Sequence, residues 1–282
     1  MSGEIEQPHV RPWSTVLRVP TPDGDVWFKA ALPGLDHDAG VTAVLARLRP
    51  EIVLAPLAVD LERGWMLLPD GGERLREVLA YERHPRRWLE IMPRYAELQI
   101  AAAEHVDELL AAGLPDYRLA RTGELAGDVA ARLGVDGPAT GRIEELGAEL
   151  EAIGVPESIQ HDDLHDGNVF VRTGGTHAVF DWGDSCASHP FASLVVGLRG
   201  IAYRFELGEL DPDLEGIRDA YLEPWNAFAP RADLLRAAEL AGAVGRLTRA
   251  LAWFQAYAGE DGADEAIDSA RSWFEEFCEA VR

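Results

Sequence analysis

The stretch that most limits what this chain can fold into runs from His161 to Gly183. It opens with His161-Asp162-Asp163-Leu164-His165-Asp166-Gly167-Asn168, a dense run of acidic and imidazole groups. Two apolar runs follow, Val169-Phe170-Val171 and Ala178-Val179-Phe180, separated by the turn Thr173-Gly174-Gly175-Thr176. This pattern predicts a strand pair closed by glycine-rich turn chemistry. A hairpin reverses the chain, so it returns Asp181 beside Asn168, 13 residues earlier. Gly167 and the strand after it also deny a continuous helix through the two histidines.

The rest of the chain changes character at Pro69-Asp70-Gly71-Gly72. Before it, residues 14–19 read as a strand, Pro20 to Asp25 as a turn, and Val26-Trp27-Phe28-Lys29-Ala30 as the returning strand. From 36 to 48, Val41, Val44, Leu45 and Leu48 recur at helical spacing, and Pro50 ends that helix. Residues 52–54 and 57–59 are short extended runs, and 65–68 read as another strand. Beyond it, residues 86–112, 118–133 and 141–153 carry helical patterns. The tail from 190 to 282 is mostly helical, with breaks near 208–212 and 259–262. The expectation is an α+β chain of two lobes: a small β-rich lobe over residues 1–70 and a larger helical lobe over 71–282. Ligand sites favour the cleft between such parts.

Charge and cysteine usage narrow the function classes. The 26 cations and 49 acids leave a net charge of −23. That balance argues against nucleic acid and anionic membrane as partners, since both need basic patches. It is compatible with a cationic small molecule. Two cysteines form no disulfide framework, and the sequence shows neither a signal peptide nor a membrane-spanning run, so a cytoplasmic protein is expected. Lys29 is the single lysine among those 26 cations. The arginine bias itself carries no function.

Residues 161–168 fit H-x-D-L-x-x-x-N, and Asp181-Trp182-Gly183 fits D-x-G. Kinase catalytic loops use this order. A carboxylate must orient an attacking hydroxyl and accept its proton, and two further oxygen ligands must hold Mg²⁺ against nucleotide phosphates. Asp163 suits the first task; Asn168 and Asp181 suit the second. Lys29, on the second strand, can reach phosphate oxygens if an acid on the following helix holds it. Asp38 is the candidate. Its shorter side chain, where a glutamate is usual, predicts a loose or water-bridged pair. Blander roles suit the neighbours. His161 is expected to make structural hydrogen bonds, Asp162 and Asp166 to be solvated or capping, and Cys186 to fill core. His165 is equally open to a substrate contact, and Asp184 to a supporting or a purely structural role. The acidic stretches 206–215 and 260–265 read as solvated surface, with an amine-binding pocket as the alternative.

With those motifs in order, the chain resembles the aminoglycoside phosphotransferase family, small-molecule kinases of bacteria that share the protein-kinase fold. The likeness runs from Arg11-Pro12-Trp13-Ser14-Thr15 to about Leu198 and is sharpest in SIQHDDLHDGNVFV and FDWGDSCASHPF. It implies ATP as co-substrate, ahead of GTP, and Mg²⁺ as cofactor. It implies Asp163 as catalytic base, Asn168 and Asp181 as metal ligands, and Lys29 on the phosphates. It further implies adenine at the joint from Leu68 to Asp70, and Ser14 or Thr15 near the phosphates in a turn over 12–15. The acceptor is a small hydroxyl compound: an aminoglycoside, a sugar or an amino alcohol. Two rival readings are a non-catalytic nucleotide-binding relative and a metal-dependent hydrolase built on His161 and His165. The second lacks the helix and glutamate of H-E-x-x-H.

Overall fold

Thr21 and Gly24 pair across Pro22-Asp23, and the Thr21 hydroxyl donates to the Gly24 carbonyl at 2.6 Å. This turn closes the hairpin predicted at 20–25. A computed structural model describes residues 3–11, 13–256 and 263–282 of the chain. Strands β1 (Glu6–Arg11), β2 (Ser14–Thr21), β3 (Gly24–Ala31), β4 (Ala58–Asp60) and β5 (Trp65–Pro69) form one antiparallel sheet, ordered β1-β2-β3-β5-β4. Between β3 and β4 lies α1 (His37–Leu48). The register sets Lys29 between Val16 on β2 and Met66 on β5. Its position is therefore fixed from both sides by the ladder.

Beyond the sheet come β6 (Glu73–Arg74), α2 (Leu75–Glu82), α3 (Trp88–Ala103), α4 (Val106–Ala111), α5 (Thr122–Leu133) and α6 (Thr140–Ile153). Four short strands follow: β7 (Ser158–Gln160), β8 (Val169–Val171), β9 (His177–Val179) and β10 (Cys186–Ser188). Then come α7 (Ser193–Phe205), α8 (Pro212–Leu222), α9 (Arg231–Ala256) and α10 (Ala263–Ala280). The mixed two-part architecture expected from the sequence is present, with a small antiparallel sheet first and a mostly helical remainder. The pattern over 86–112 is two helices, because the chain turns at Glu104 and His105 between α3 and α4. The expected break at 259–262 lies outside the described residues. Among the described residues no helix is long and apolar enough to cross a membrane.

The joint is tied to the hairpin that carries the acidic motifs. β6 pairs with β8, and β8 with β9. Gly71 and Gly72 allow it. A Cβ on Gly71 would sit 2.3 Å from the Phe170 ring, and Gly72 has φ +95° with the Val171 carbonyl 2.5 Å from where its Cβ would be. A small core joins the two parts here: Ala39, Leu54, Met66, Leu68 and Ala178, with Phe170 and Phe180 stacked 4.2 Å apart. The main core lies in the helical part. α3 buries Trp88, Ile91, Met92, Tyr95, Leu98, Gln99 and Ala102, the spacing of one helical face.

Candidate active site

The acidic segment before β8 rests on α3. The His161 backbone N–H donates to the Tyr95 hydroxyl at 3.0 Å, and Gln99 donates to the Ile159 carbonyl at 2.8 Å. Trp182 lies against the other side, 4.6 Å from the His161 ring. His161 is fully buried, with Nε2 3.0 Å from the Phe180 carbonyl, and the Asp163 N–H donates to Nδ1 at 3.4 Å. Its hydrogen bonds are structural. Asp162 and Asp181 take positive φ values of 59° and 69°. Aspartate tolerates this region better than most residues, and here it turns both backbones sharply at the site.

Asp163 is held at both oxygens. Oδ2 accepts from Asn168 Nδ2 at 2.9 Å and lies 3.3 Å from His165 Nε2. Oδ1 accepts from Arg249 Nη2 at 3.0 Å. His165 Nδ1 accepts from the Gly167 N–H at 2.8 Å, so its proton sits on Nε2 and points at Asp163. Burial would raise the Asp163 carboxyl, but Arg249 and then His165 outweigh it and pull it down to about 2. Asn168 spends its amide nitrogen on Asp163 and keeps its oxygen for another partner. The Phe180 N–H donates to the Asn168 carbonyl at 3.1 Å, which sets Asp181 next to Asn168 as the hairpin predicts.

Lys29 reaches this site from the sheet. Its Nζ lies 2.6 Å from Asp38 Oδ2 and 2.5 Å from Asp181 Oδ1. The pair with Asp38 is thus direct, not loose or water-bridged. The reason is placement: Asp38 stands in the first turn of α1, fully buried, and its Oδ1 accepts from the Trp182 N–H at 2.9 Å and the Thr42 hydroxyl at 3.2 Å. One short carboxylate links the lysine, the helix and the Asp-Trp-Gly segment. Burial alone would lower the Lys29 ammonium; Asp181 and Asp38 outweigh it and hold it protonated.

Lys29, Asp38, Asp163, Asp181 and Ser14 line one cleft. Thr15, the next residue on β2, is exposed, and alternation points it to the other face. Pro12 lies outside the described residues. Leu68 is buried in the small core, and exposed Asp70 accepts from the Gly72 N–H at 3.0 Å, so both sit at the joint. Asp181 lines the cleft, and buried Asn168 lies next to it beside Asp163, so the two bring two hard side-chain oxygens to this end of the site. Among the described residues no three His, Cys, Asp or Glu side chains cluster as a metal cage. Two side-chain oxygens suit Mg²⁺, which completes its shell with phosphates and water. They do not suit a three-ligand zinc site.

Asp162 and Asp166 are not solvated. Asp166 pairs with Arg204 at 3.2 Å, and Asp162 is 2% exposed, accepting from Thr248 at 3.3 Å. Burial pushes the Asp162 carboxyl up to about 7, with Arg249 opposing. The folded value lies above the ordinary 3.8, so the folded state holds the extra proton and stability falls as pH rises through that window. Asp162→Asn removes the charge while keeping the shape. It is expected to stabilise the fold by up to about 4 kcal/mol at pH 8, seen as a higher melting temperature, and to change little at pH 4. Thermal melts at both pH values test this, and a lower melting temperature at pH 8 would mean the carboxylate is stabilising.

A second, wider groove opens beside the cleft, among α7, α8 and α9. His165, Glu206, Glu209, Glu215 and Trp273 line it. The 206–215 stretch therefore faces a cavity, while residues 260–262 of the other acidic stretch lie outside the described residues.

Arg249, on α9, was not visible in any motif. It is paired with Asp163 and, at 2.8 Å, with Asp184. Burial raises Asp184 to about 6, against the pull of Arg249. The signal available was its place in the helix. Gly245 and Ala252, four before and three after it, face the interior, so Arg249 lies on the buried face.

The model of the phosphotransferase enzyme family matches residues 7–234. No curated protein matches the chain in sequence. Among solved structures, ethanolamine kinase from Plasmodium vivax is similar at TM-score 0.67 and 12% identity, covering 98% of this chain and 82% of that one. Choline kinase LicA from Streptococcus pneumoniae is similar at 0.62 and 13%, covering 99% and 95%. Macrolide 2'-phosphotransferase MphH from Brachybacterium faecium is similar at 0.60 and 19%, covering 96% and 92%. At these identities the likeness is one of fold.

Proposed function

Since the chain belongs to the phosphotransferase enzyme family, we propose that it moves the γ-phosphoryl group of ATP to a hydroxyl of a small molecule, with Mg²⁺ required. The observation that carries this reading is the meeting of Lys29 with Asp181, 152 residues apart in sequence, in the cleft that Asp163 also lines. Residues 1–70 hold the nucleotide. Ser14 faces its phosphates, and Leu68 to Asp70 border the adenine. Residues 71–282 supply the catalytic loop and the acceptor groove. A protein that consumes ATP in this way belongs in the cytoplasm.

Asp163 orients the acceptor hydroxyl and takes its proton. The acceptor oxygen bonds to the γ-phosphorus, the bond from that phosphorus to the β,γ-bridging oxygen breaks, and ADP leaves with the electron pair. Lys29, held by Asp38, neutralises phosphate oxygens. Asn168 and Asp181 hold Mg²⁺, which when bound offsets the charge of the nucleotide phosphates. Arginines including Arg76, Arg199 and Arg218 line the groove beside Glu206, Glu209 and Glu215, so its net charge selects no acceptor, but one that pairs with these glutamates must carry an amine. Aminoglycosides and amino alcohols meet that requirement, and a neutral sugar meets it less well.

The test is a panel of hydroxyl compounds, with and without amines, incubated with Mg-ATP or Mg-GTP. Acceptor-dependent ADP release from one of the amine-bearing members is expected. If Mg-ATP binds and no acceptor raises ADP release, the chain is a nucleotide-binding relative without turnover. A further expectation concerns the metal. Asp181→Ala should abolish the tightening of ATP binding by Mg²⁺, since a ligand to metal and phosphates disappears. Calorimetric titrations with and without Mg²⁺ decide it, and an unchanged difference between them rules out Asp181 as a ligand.

A further inference from the structure

The carboxylate at the centre of the site has one oxygen left for a substrate. Asp163 Oδ2 accepts from Asn168 Nδ2 at 2.9 Å and lies 3.3 Å from His165 Nε2, so two partners crowd it. Oδ1 receives Arg249 Nη2. An acceptor hydroxyl must therefore approach Oδ1, beside the Arg249 guanidinium. The side chain is also placed at the seam of the two cavities. Arg249 lines both the cleft that holds Lys29 and Asp181 and the wider groove, as does Trp253, four residues on, over whose ring it lies at 5.4 Å. A phosphoryl group passing from nucleotide to acceptor crosses that seam.

Charge points the same way. Lys29 already faces Asp38 and Asp181. Of the arginines that line the acceptor groove, among them Arg76, Arg199, Arg204, Arg218 and Arg246, Arg249 is the one that also lines the Lys29 cleft, and it is shared between Asp163 and Asp184. Its planar guanidinium has five N–H donors, and these two ion pairs use two of them. The remaining N–H groups are fixed in direction by the two carboxylates and by the indole. They are a preorganised donor set at a place where charge develops, which is where such donors lower a barrier most.

We infer that Arg249 is a further catalytic residue, contacting the oxygens of the phosphoryl group in transit while it holds Asp163 toward the acceptor. The inference rests on the phosphotransferase reading above. In the step itself the acceptor oxygen–phosphorus bond forms, the bond from phosphorus to the ADP oxygen breaks with its electron pair on ADP, and the acceptor proton goes to Asp163 Oδ1. Arg249 exchanges no proton and stabilises the charge on the moving group.

The probe is Mg-ADP with aluminium fluoride, a mimic of the phosphoryl group in flight that needs no acceptor. Wild type is expected to bind Mg-ADP more tightly when aluminium fluoride is present. Arg249→Gln should lose most of that gain, about tenfold or more, while its affinity for Mg-ADP alone stays within about threefold. Arg249→Lys, which keeps a charge but not the fork, should retain part of the gain. Asp184→Asn removes the charge of one of the two groups that orient the guanidinium but keeps an acceptor oxygen there and leaves the arginine itself, so it should retain a clear part of the gain, more than Arg249→Gln does. It also serves if Arg249→Gln fails to fold. Equal gains in wild type and both Arg249 variants would overturn the inference, as would equal loss in Asp184→Asn, which would make Arg249 a bridge and nothing more. No gain in wild type overturns it too. The acceptor panel then says separately whether the phosphotransferase reading falls with it.

Discussion

Asp163→Asn is expected to bind Mg-ATP nearly as wild type does and to lose turnover by about 10³, within the range that a positioned acid–base group contributes. The metal side chains remain, so the nucleotide end of the cleft is intact. What goes is the carboxylate that Arg249 and His165 hold ionised. The amide cannot take its proton. A second effect follows from the hydrogen bonds. Both carboxylate oxygens accept here, from Asn168 and His165 on one side and from Arg249 on the other. An amide has one acceptor and one donor end, so one side must face donor against donor. That leaves a partly buried group without its bond and costs about 1–3 kcal/mol. A fall of several degrees in melting temperature should accompany the lost turnover. Acceptor-dependent ADP release and calorimetric Mg-ATP affinity, measured on one preparation, check the first part. Turnover within a few-fold of wild type would remove Asp163 from the role of base.

The local chemistry of this site was legible because the residues are adjacent in sequence and lie on a hairpin with clear turn signals. Thr173 to Thr176 could only be a turn, and the apolar runs beside it became β8 and β9. Lys29 stood out because arginine fills the other cationic positions. Its partner distance was misjudged because side-chain length does not say how closely a helix packs on a strand. Asp38, buried in the first turn of α1, lies within direct reach of Lys29 on β3. β7 and β10 escaped notice because three residues each are too few to show alternation, and their pairing, Gln160 with Cys186, is set by tertiary contact. β1 escaped because Glu-Gln-Pro-His carries no strand pattern, yet it pairs with β2. Asp162 looked solvated because polarity is all that one residue shows. Its burial under Thr248 and Arg249 comes from a helix some 86 residues later. Arg249 is the clearest limit. Its charge is ordinary in sequence, and its importance lies in what faces it across the fold.

Lys29→Met is expected to lower turnover by about 10²–10³ through loss of the charge at the phosphates, and also to destabilise the fold. The stability effect follows from burial. Lys29 is 9% exposed and Asp38 is 0% exposed, so removing the ammonium strands a buried carboxylate. Breaking a buried pair by deleting one partner typically costs about 3–5 kcal/mol. Two other donors, the Trp182 N–H and the Thr42 hydroxyl, remain on Asp38 Oδ1 and soften the loss, which points to the lower end. For a chain of this size that is roughly 5–10 °C in melting temperature. Lys29→Arg keeps the charge, so it should melt closer to wild type. Its longer planar head cannot sit 2.6 and 2.5 Å from two carboxylates at once on a strand fixed from both sides, so turnover should still fall. The double variant Lys29→Met/Asp38→Asn separates the two roles. Neutralising Asp38 removes the stranded charge, so the melting temperature should recover much of the loss while turnover stays low. If the double variant melts as low as Lys29→Met alone, the stranded carboxylate is not the cause of the instability. If it regains turnover, the phosphate role of Lys29 is wrong.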